Sequence, residues 1–391
     1  MTSYKFALRS SKSTLKTGQD IHMCHIVVLN DKGLFKVHPV SNFLYTKRGA
    51  KYNTLKSRGQ IITSFLNWLN KNIFIFDESE ARLSTLDFFK VEYYLNQLVS
   101  ENKSAVTINH NILVLRDFLF YLVEIRVINN PSTVSEIQTR KVDRFNNFFD
   151  LYSKPNSSES DDLIHEIHPN YIIEFLQLAY KYTNPIALGV YMQFFGGLRR
   201  GDVVNLTRSS LKSRGAYGEL GLEAIIRNRN LRPDLIDSDG TNDVKKPRNQ
   251  VIFSNKLLAK FYESHLKSYK DNSGNNALFV DSNKMPMSGA TYQYYFNKLK
   301  SIFIEKLLKS NNIEVSTYGL YLDSKQWSTH IGRGTFSNWV AETTSNPLDV
   351  AIARGDKSVE SSLVYMEKSK TFLDGVNKVI NSMYDEAWFS E

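Results

Sequence analysis

The chain is poor in cysteine, since Cys24 is the only one among 391 residues. A single thiol excludes an intramolecular disulfide framework and suits a reducing cytoplasm, where we expect the protein to act. No run of 18 or more apolar residues occurs, so we expect no membrane span. The N-terminus MTSYKFALRSSKS is basic but has no apolar stretch after it, and it therefore lacks the pattern of a secretory signal.

Two kinds of ligand site are also missing from the sequence. The chain has no Gly-rich phosphate loop. The histidines of HEIH, His165 and His168, have no third ligand nearby, and this favours a surface turn over a metal site. We therefore expect neither a metal ion nor an organic cofactor.

Positive charge is the first feature present in excess. Lysine and arginine number 49 against 40 acidic residues, a formal net charge of +9, and this balance favours an anionic partner, most often a nucleic acid. Residues 46–58, TKRGAKYNTLKSR, contain no acid. Their cations are Lys47, Arg48, Lys51, Lys56 and Arg58. A solvated basic surface and a phosphate-contacting face both fit this run.

Apolar periodicity indicates a helical first half. Residues 1–45 are expected to form a partly β segment with a hairpin around Asp31-Lys32-Gly33. Residues 46–152 carry three apolar stripes at helical spacing, which predict a compact helical domain. The approximate bounds of these helices are 52–69, 85–100 and 105–123. Residues 129–163 resemble a boundary, because NNPSTVSEIQTRK opens with turn residues and SKPNSSESDD is polar without an apolar period, and we place the linker at 153–161.

Residues 162–391 form the second predicted domain. Its segments LEAIIRNR and NQVIF are strand-like, whereas helical patterns precede them and resume from Asn255, ending in a C-terminal helix that begins near Phe372. That last helix can pack on its own domain or on a neighbouring protomer. The fold class is therefore mainly α with a small β-sheet, an α+β chain of two domains.

Three segments carry residues suited to chemistry at a phosphodiester. In FFGGLRRGDVVNL, Arg199 follows a Gly-Gly turn, and a guanidinium at that point can bind a phosphate through two parallel hydrogen bonds. Asp202 lies one helical turn further on and can orient that arginine. Taken alone, an unrelated Arg–Asp pair on a helix surface explains this pattern equally well.

The other two segments supply a proton carrier and a nucleophile. In STHIGRGTFSNW, His330 and Arg333 are three residues apart, so a helix presents both on one face. Histidine exchanges protons near neutral pH. A partly buried histidine beside an unrelated arginine is the plainer interpretation. In ARGDKSVESSLVYM, Tyr365 offers a hydroxyl group nine residues after Asp356.

In their order and spacing, these segments resemble the active site of tyrosine recombinases, the phage-integrase family. The resemblance covers nearly the whole chain and implies a helical core-binding, DNA-binding domain at 46–152 and a catalytic domain at 162–391. By resemblance, Arg199 and Arg333 hold the scissile phosphate and His330 moves a proton. Tyr365 forms a 3′-phosphotyrosyl bond. The implied partners are double-stranded DNA, three further protomers in a homotetramer on two DNA sites, and an accessory DNA-bending protein.

The family's catalytic lysine lies in a β-hairpin and protonates the leaving 5′-oxygen. Lys246, just before the strand-like NQVIF, matches it best, and Lys245 is the runner-up. The same comparison assigns contacts with the DNA backbone to Arg200, Lys245 and Arg248. The preceding segment NLRPDLIDSDGTND resembles an insertion into that hairpin.

Asp356 departs from the family's pattern, which has His or Trp at this position. A carboxylate facing a phosphate at 4 Å costs roughly 4 kcal/mol at an effective dielectric of 20. Three interpretations stay open. Asp356 caps the short helix that carries Tyr365, or it is protonated or turned towards Lys357, or the site has lost its chemistry. The sequence thus predicts a site-specific DNA recombinase, with a recombinase-fold DNA-binding regulator as the alternative.

Overall fold

A computed structural model gives the structure of the chain, which divides into two compact units, Met1–Glu159 and Ser160–Glu391. The predicted linker at 153–161 lies outside the described residues. The structure describes residues 5–14, 20–30, 33, 35–46, 50, 52–72, 83–142, 148–152, 163–215, 220–235, 242–344, 346–356, 359 and 363.

The described part of the first unit combines an antiparallel sheet with helices. Its strands, in the sheet order β1-β2-β3, are β1 (Lys5–Thr14), β2 (Asp20–Leu29) and β3 (Phe35–Val37). Its helices are α1 (Asn42–Tyr45), α2 (Tyr52–Lys71), α3 (Phe88–Ser100), α4 (Ala105–Glu124) and α5 (Pro131–Val142). The three predicted helices are therefore present as α2, α3 and α4. The hairpin expected around residues 31–33 joins β2 to β3, with Leu29 paired to Phe35.

The sheet and the helices of this unit share one apolar core. Cys24 and Ile26 on β2 are fully buried in the same cluster as Phe65 of α2. Strand β1 is also tied to α2 directly, because the backbone of Phe6 exchanges two hydrogen bonds of 2.8 Å with the amide side chain of Asn67. Burial of this continuous apolar surface is what holds the sheet on the helices.

Helix α5 corrects the sequence analysis, which treated NNPSTVSEIQTRK as part of a boundary without a helix. Asn130 accepts a hydrogen bond of 3.0 Å from the backbone N–H of Ser132, and Pro131 occupies the first helical position. Both features favour a helix start. The helix was missed because its buried stripe is short, with Ile137 as its fully buried residue among the described side chains.

Helix α4 is long and apolar enough to cross a membrane by length and composition alone. Its side chains Ile108, Phe118 and Leu119 are each 0% exposed and lie within the first unit. Their burial accounts for the high hydropathy of this helix.

The second unit places a small antiparallel sheet among helices. Its strands, in the sheet order β4-β5-β6, are β4 (Leu211–Ser213), β5 (Leu222–Ile226) and β6 (Arg248–Ile252). Its helices are α6 (Pro169–Tyr182), α7 (Asn184–Gly196), α8 (Arg200–Val204), α9 (Leu258–Ser268), α10 (Gly289–Leu308), α11 (Ile313–Ser324), α12 (His330–Thr343) and α13 (Pro347–Arg354). The two predicted strands are β5 and β6, and the fold class, mainly α with small sheets, is confirmed.

Candidate active site

Arg199 is positioned by a sharp turn between two helices. Helix α7 is buried on all sides and ends at Gly196, and the next residue, Gly197, has a φ of 61°, a left-handed conformation that favours glycine. A Cβ atom at Gly197 would lie 2.5 Å from the ring of Phe336 on α12. Helix α8 then begins directly after Arg199, whose backbone N–H donates to Oδ2 of Asp202 over 3.0 Å.

Asp202 is a buried carboxylate that joins helix α8 to strand β6. Its Oδ2 atom also accepts a hydrogen bond of 2.8 Å from Nη2 of Arg248. Arg248 in turn donates from Nε to Oε1 of Gln250, two residues along the same face of β6. In this structure Arg248 supplies the cation that the buried carboxylate of Asp202 requires, and its contact with the DNA backbone stays a prediction.

Arg333 lies one turn into helix α12 and is almost fully buried. Its Nη1 atom donates to the carbonyl of Gly197 over 2.5 Å, and both Nη atoms lie 3.2 Å from the carbonyl of Arg354. The next residue, Gly334, allows the helix to approach the carbonyl of His165 closely, since a Cβ atom there would lie 1.8 Å from that oxygen. Arg333 is thus held by backbone oxygens from two other segments.

Three arginines converge on the carboxylate of Asp356. Nη2 of Arg199 and Nη2 of Arg333 each lie 2.9 Å from the same oxygen, Oδ1. Nε of Arg354 lies 3.3 Å from the other oxygen, Oδ2. The structure therefore brings together the two arginines that the sequence predicts to bind one phosphate, and an anion of the chain itself occupies the point where they meet.

Arg354 is a site residue that the sequence analysis missed. The signal in the segment ARGDKS is its glycine, a residue that often ends a helix. In the structure this residue, Gly355, has the left-handed φ of 66° at the end of α13. A glycine there turns the chain back, so that Arg354 and Asp356 lie on either side of one sharp bend. Arg354 lines a cavity together with Arg199 and Arg333, and Asp356 accepts hydrogen bonds from those two arginines.

The arginines control the protonation of Asp356. Burial raises the pKa of this carboxyl, but the charges of Arg333, Arg354 and Arg199 outweigh burial, and the pKa is lowered overall. The lowered pKa and the three arginines favour an ionised Asp356 over a protonated one, and Lys357 lies outside the described residues. Its role as a helix cap concerns residues after 356 that lie mostly outside the described part of the chain.

The excess of cations also affects Arg333. Burial, followed by the charges of Arg199 and Arg354, lowers the pKa of Arg333 to about 9. One carboxylate therefore does not neutralise the positive charge gathered here. Nη1 of Arg199 is in addition buried without a hydrogen-bond partner among the described residues. A donor left unsatisfied beside a concentration of positive charge suits the binding of a further anion.

His330 lies in the same cavity as these arginines. The cavity has a volume of about 490 Å³ and is lined in part by Arg199, His330, Arg333 and Arg354. Burial lowers the pKa of His330, and so do the charges of Lys245, Arg200, Arg199 and Arg333. The imidazole is consequently neutral at pH 7 and has a nitrogen that can accept a proton.

The two candidate lysines lie just before strand β6. They belong to the connection 227–247, of which residues 236–241 lie outside the described part. Lys245 is exposed and its charge acts on His330, whereas the carbonyl of Lys246 accepts a hydrogen bond of 3.3 Å from Arg248. The electrostatics favour Lys245 as the neighbour of the cavity, and Lys246 stays a prediction.

The remaining predicted site residues are partly beyond the described chain. Tyr365, the candidate nucleophile, lies outside the described residues, as do Lys47, Arg48 and Lys51 and the C-terminal helix expected from near Phe372. Arg200, at the start of α8, donates from Nη1 to Oε1 of Gln293 on α10. Its charge also lowers the pKa of His330, a residue that lines the cavity.

Two cations of the basic run at residues 46–58, Arg58 and Lys56, lie in the described part of the first unit. Arg58 forms an ion pair of 3.0 Å with Asp117, lies over the ring of Phe43 and has a side chain only 11% exposed. Its charge is thus paired within the unit, and its contact with phosphate stays a prediction. Lys56 is partly buried. Burial raises the pKa of Cys24, and the charge of Lys56 offsets part of that rise.

Metal ligands do not cluster in the part of the chain that the structure describes. No group of three or more His, Cys, Asp or Glu side chains there could hold a metal ion. His168 instead begins helix α6, where its Nδ1 atom accepts from the backbone N–H of Asn170 over 3.3 Å.

Known structures resemble this chain along most of its length. The Tn1549 transposon integrase in complex with circular intermediate DNA is 16% identical, with a TM-score of 0.59 over 87% of this chain and 97% of that one. The XerH site-specific recombinase bound to palindromic difH substrate, a post-cleavage complex, is 13% identical, with a TM-score of 0.56 over 88% and 84%. No protein-family model and no curated protein sequence matches the chain. The chain has the tyrosine-recombinase fold.

Proposed function

We propose that this chain, which has the fold of tyrosine recombinases, is a site-specific DNA recombinase of the integrase type. The observation that carries the proposal is the meeting of Arg199 and Arg333 on one anion, because both arginines also line the cavity that contains His330. Guanidinium groups fixed in advance around one point stabilise the negative charge that develops on a phosphate during transfer. The DNA-bound state of the structures it resembles supports double-stranded DNA as the substrate.

In the proposed reaction the hydroxyl of Tyr365 attacks the scissile phosphorus. A bond forms between phosphorus and the tyrosine oxygen, and the bond from phosphorus to the 5′-oxygen breaks. His330, neutral at pH 7, accepts the proton of the tyrosine, and Lys245 or Lys246 donates a proton to the departing 5′-oxygen. Arg199 and Arg333 hold the phosphate throughout.

Rejoining reverses these steps with a different strand. The 5′-hydroxyl of the partner strand attacks the 3′-phosphotyrosyl bond, and the tyrosine leaves. The phosphotyrosyl bond conserves the energy of the original linkage, so that the exchange needs no nucleotide hydrolysis. We propose a homotetramer on two DNA sites as the active assembly, with an accessory DNA-bending protein as a further partner.

One observation favours the alternative function, a recombinase-fold DNA-binding regulator. The carboxylate of Asp356 uses the Nη2 donors of both Arg199 and Arg333 that the scissile phosphate requires. If this ion cluster is permanent, the catalytic unit binds DNA around the site without performing chemistry at it.

A covalent-trapping experiment separates the two functions. The protein is incubated with nicked duplex fragments from its own genomic neighbourhood and analysed on denaturing and native gels in parallel. A recombinase forms a protein–DNA adduct that resists denaturant and is lost in Tyr365→Phe, while the native gel shift remains. Tyr321→Phe is the matched control, because Tyr321 is 47% exposed on helix α11 and lies outside the cavity.

The two functions give opposite patterns on these gels. A specific native shift without any adduct, unchanged by Tyr365→Phe, supports the regulator. An adduct that persists in Tyr365→Phe shows that another residue is the nucleophile.

A further inference from the structure

The carboxylate of Asp356 imitates the ligand that the arginines are built to bind. One of its oxygens accepts hydrogen bonds from two guanidinium groups at 2.9 Å, an arrangement that a phosphate oxygen would also accept. The side chain of Asp356 is 5% exposed and that of Arg333 is 5% exposed. A phosphate oxygen that accepts from both Nη2 atoms at this point has to take the place of Oδ1 of Asp356.

We propose that Asp356 is an internal competitor for the scissile phosphate, so that DNA gains the two-arginine site only by displacing this carboxylate. The inference rests on the proposed function and deepens it, because it makes occupancy of the catalytic arginines a regulated step. The protein without DNA holds its own anion in the site, and the phosphate of a bound duplex exchanges with it.

The site contains what such an exchange requires. Nη1 of Arg199 is buried without a hydrogen-bond partner among the described residues and offers an arriving phosphate a first donor. Nε of Arg354 already lies 3.3 Å from the second oxygen of Asp356, so the displaced carboxylate keeps a cation beside it. One anion replaces another, and neither arginine is left without a partner.

The backbone next to Asp356 is anchored, so the exchange needs only a rotation of the side chain. The backbone N–H of Asp356 donates to the carbonyl of Ala351 over 2.9 Å, and that of Gly355 donates to the carbonyl of Ile352 over 2.9 Å. Both bonds close the end of helix α13 and are independent of the carboxylate.

An internal competitor lowers the measured affinity for every external anion at the site. The apparent dissociation constant equals the intrinsic constant divided by the fraction of molecules in which the site is open. Asp356→Asn removes the competing charge but keeps the size of the side chain. We expect this variant to bind inorganic phosphate about tenfold more tightly than the unchanged protein, since one full negative charge no longer opposes the ligand.

Thermal unfolding of the full chain, titrated with inorganic phosphate at constant ionic strength, measures this affinity. Asp323→Asn is the matched control, because Asp323 is exposed on helix α11 and its substitution makes the same change in net charge. The proposal requires a larger phosphate-induced rise of Tm in Asp356→Asn alone. An equal or smaller rise in Asp356→Asn overturns it and makes Asp356 a residue that positions the arginines.

Asp356→His provides a second route if Asp356→Asn does not fold. Histidine brings no negative charge, and we expect the same gain in phosphate affinity. Asp356→Glu keeps the charge, and its affinity should stay close to that of the unchanged protein. If neither neutral variant binds phosphate more tightly than Asp356→Glu, the proposal fails.

These measurements need no strand cleavage, and the adduct formed by Tyr365 is assayed separately. An adduct without a gain in phosphate affinity preserves the recombinase and rejects the competitor. A gain in affinity without any adduct identifies Asp356 as a competitor at a phosphate site and rejects the recombinase.

Discussion

Nη2 of Arg248 lies 2.8 Å from Oδ2 of Asp202, and neither side chain is more than 8% exposed. This buried ion pair joins the helix that starts after Arg199 to the strand that follows the candidate lysines. The same carboxylate oxygen fixes the backbone of Arg199. The backbone position of Arg199, for which we propose contact with the phosphate, therefore depends on this ion pair.

Asp202→Ala is expected to destabilise the protein. Removal of one member of a buried pair leaves Arg248 charged and unpaired, at a cost of about 3–5 kcal/mol in the free energy of unfolding. Urea denaturation measures the loss. Asp234→Ala is the control, because Asp234 is 57% exposed beside Arg232, and its loss should be below about 1 kcal/mol. Equal losses for the two variants would contradict the importance of burial.

Gly355→Ala is expected to disturb the arginine cluster. Alanine at a φ of 66° costs about 1–2 kcal/mol, and its Cβ atom would lie 2.1 Å from Cδ of Arg248. Gly274→Ala separates these effects, since Gly274 has a φ of 81° but no atom within 4 Å of the added carbon. Chemical denaturation should show a larger loss for Gly355→Ala. Equal losses in the free energy of unfolding would show that the side chain of Arg248 moves away from the added carbon at no cost, and would contradict the prediction.

Arg333→Lys is expected to slow adduct formation by about 100-fold, the usual effect of removing one donor from a charge-stabilising site. Lysine keeps the charge but has no planar fork to reach the Gly197 carbonyl, the Arg354 carbonyl and the anion together. Single-turnover rates on a nicked duplex give the comparison. Arg214→Lys, at an exposed position, should leave the rate unchanged. A rate unaffected by Arg333→Lys removes Arg333 from the proposed mechanism.

Lys245→Ala and Lys246→Ala are expected to differ. The charge of Lys245 lowers the pKa of His330, and Lys246 is not among the groups that cause this shift. We expect Lys245→Ala to cause the greater loss of cleavage. A substrate whose 5′-oxygen is replaced by sulfur, a better leaving group, should restore cleavage only in the variant that lacks the proton donor. Rescue of Lys246→Ala alone would instead identify Lys246 as that donor.

The stability of the second unit is expected to fall in mild acid because of His265. Burial lowers the pKa of this 2%-exposed histidine to about 4. The unfolded chain binds the proton more readily, so the contribution is fully present above about pH 6.5. It is lost as the pH falls towards 4, by about 3 kcal/mol. His265→Gln should flatten the pH dependence of urea denaturation, and His110→Gln, at an exposed position, should not. An unchanged slope in His265→Gln would refute this account.

The parts of the fold that local sequence determines were predicted correctly. Helices α2 and α4 have long apolar stripes, and β5 and β6 have dense runs of β-branched residues, so short-range patterns suffice. The shared face of His330 and Arg333 follows from their spacing alone. These features depend on residues close together in the chain.

The features that the sequence analysis missed depend on distant partners. Arg58 and Arg248 are indistinguishable in sequence from surface cations, yet each meets a carboxylate 59 or 46 residues away. The contact of Asp356 with Arg199 and Arg333 likewise depends on the bend at Gly355. Local sequence patterns do not predict the direction of the chain after this bend. Local patterns identify the charged side chains but cannot tell which of them the fold has already neutralised.

The N-terminal sheet has a practical consequence for shortened versions of the protein. Because β2 supplies Cys24 and Ile26 to the core shared with α2, a chain that starts near residue 46 would lose part of that core. We therefore expect such a truncation, a common way to isolate a helical module, to lower the stability of the first unit. Strands β1 and β2 are part of the folded helical unit. A fusion tag should therefore be attached before Lys5 and should not replace these strands.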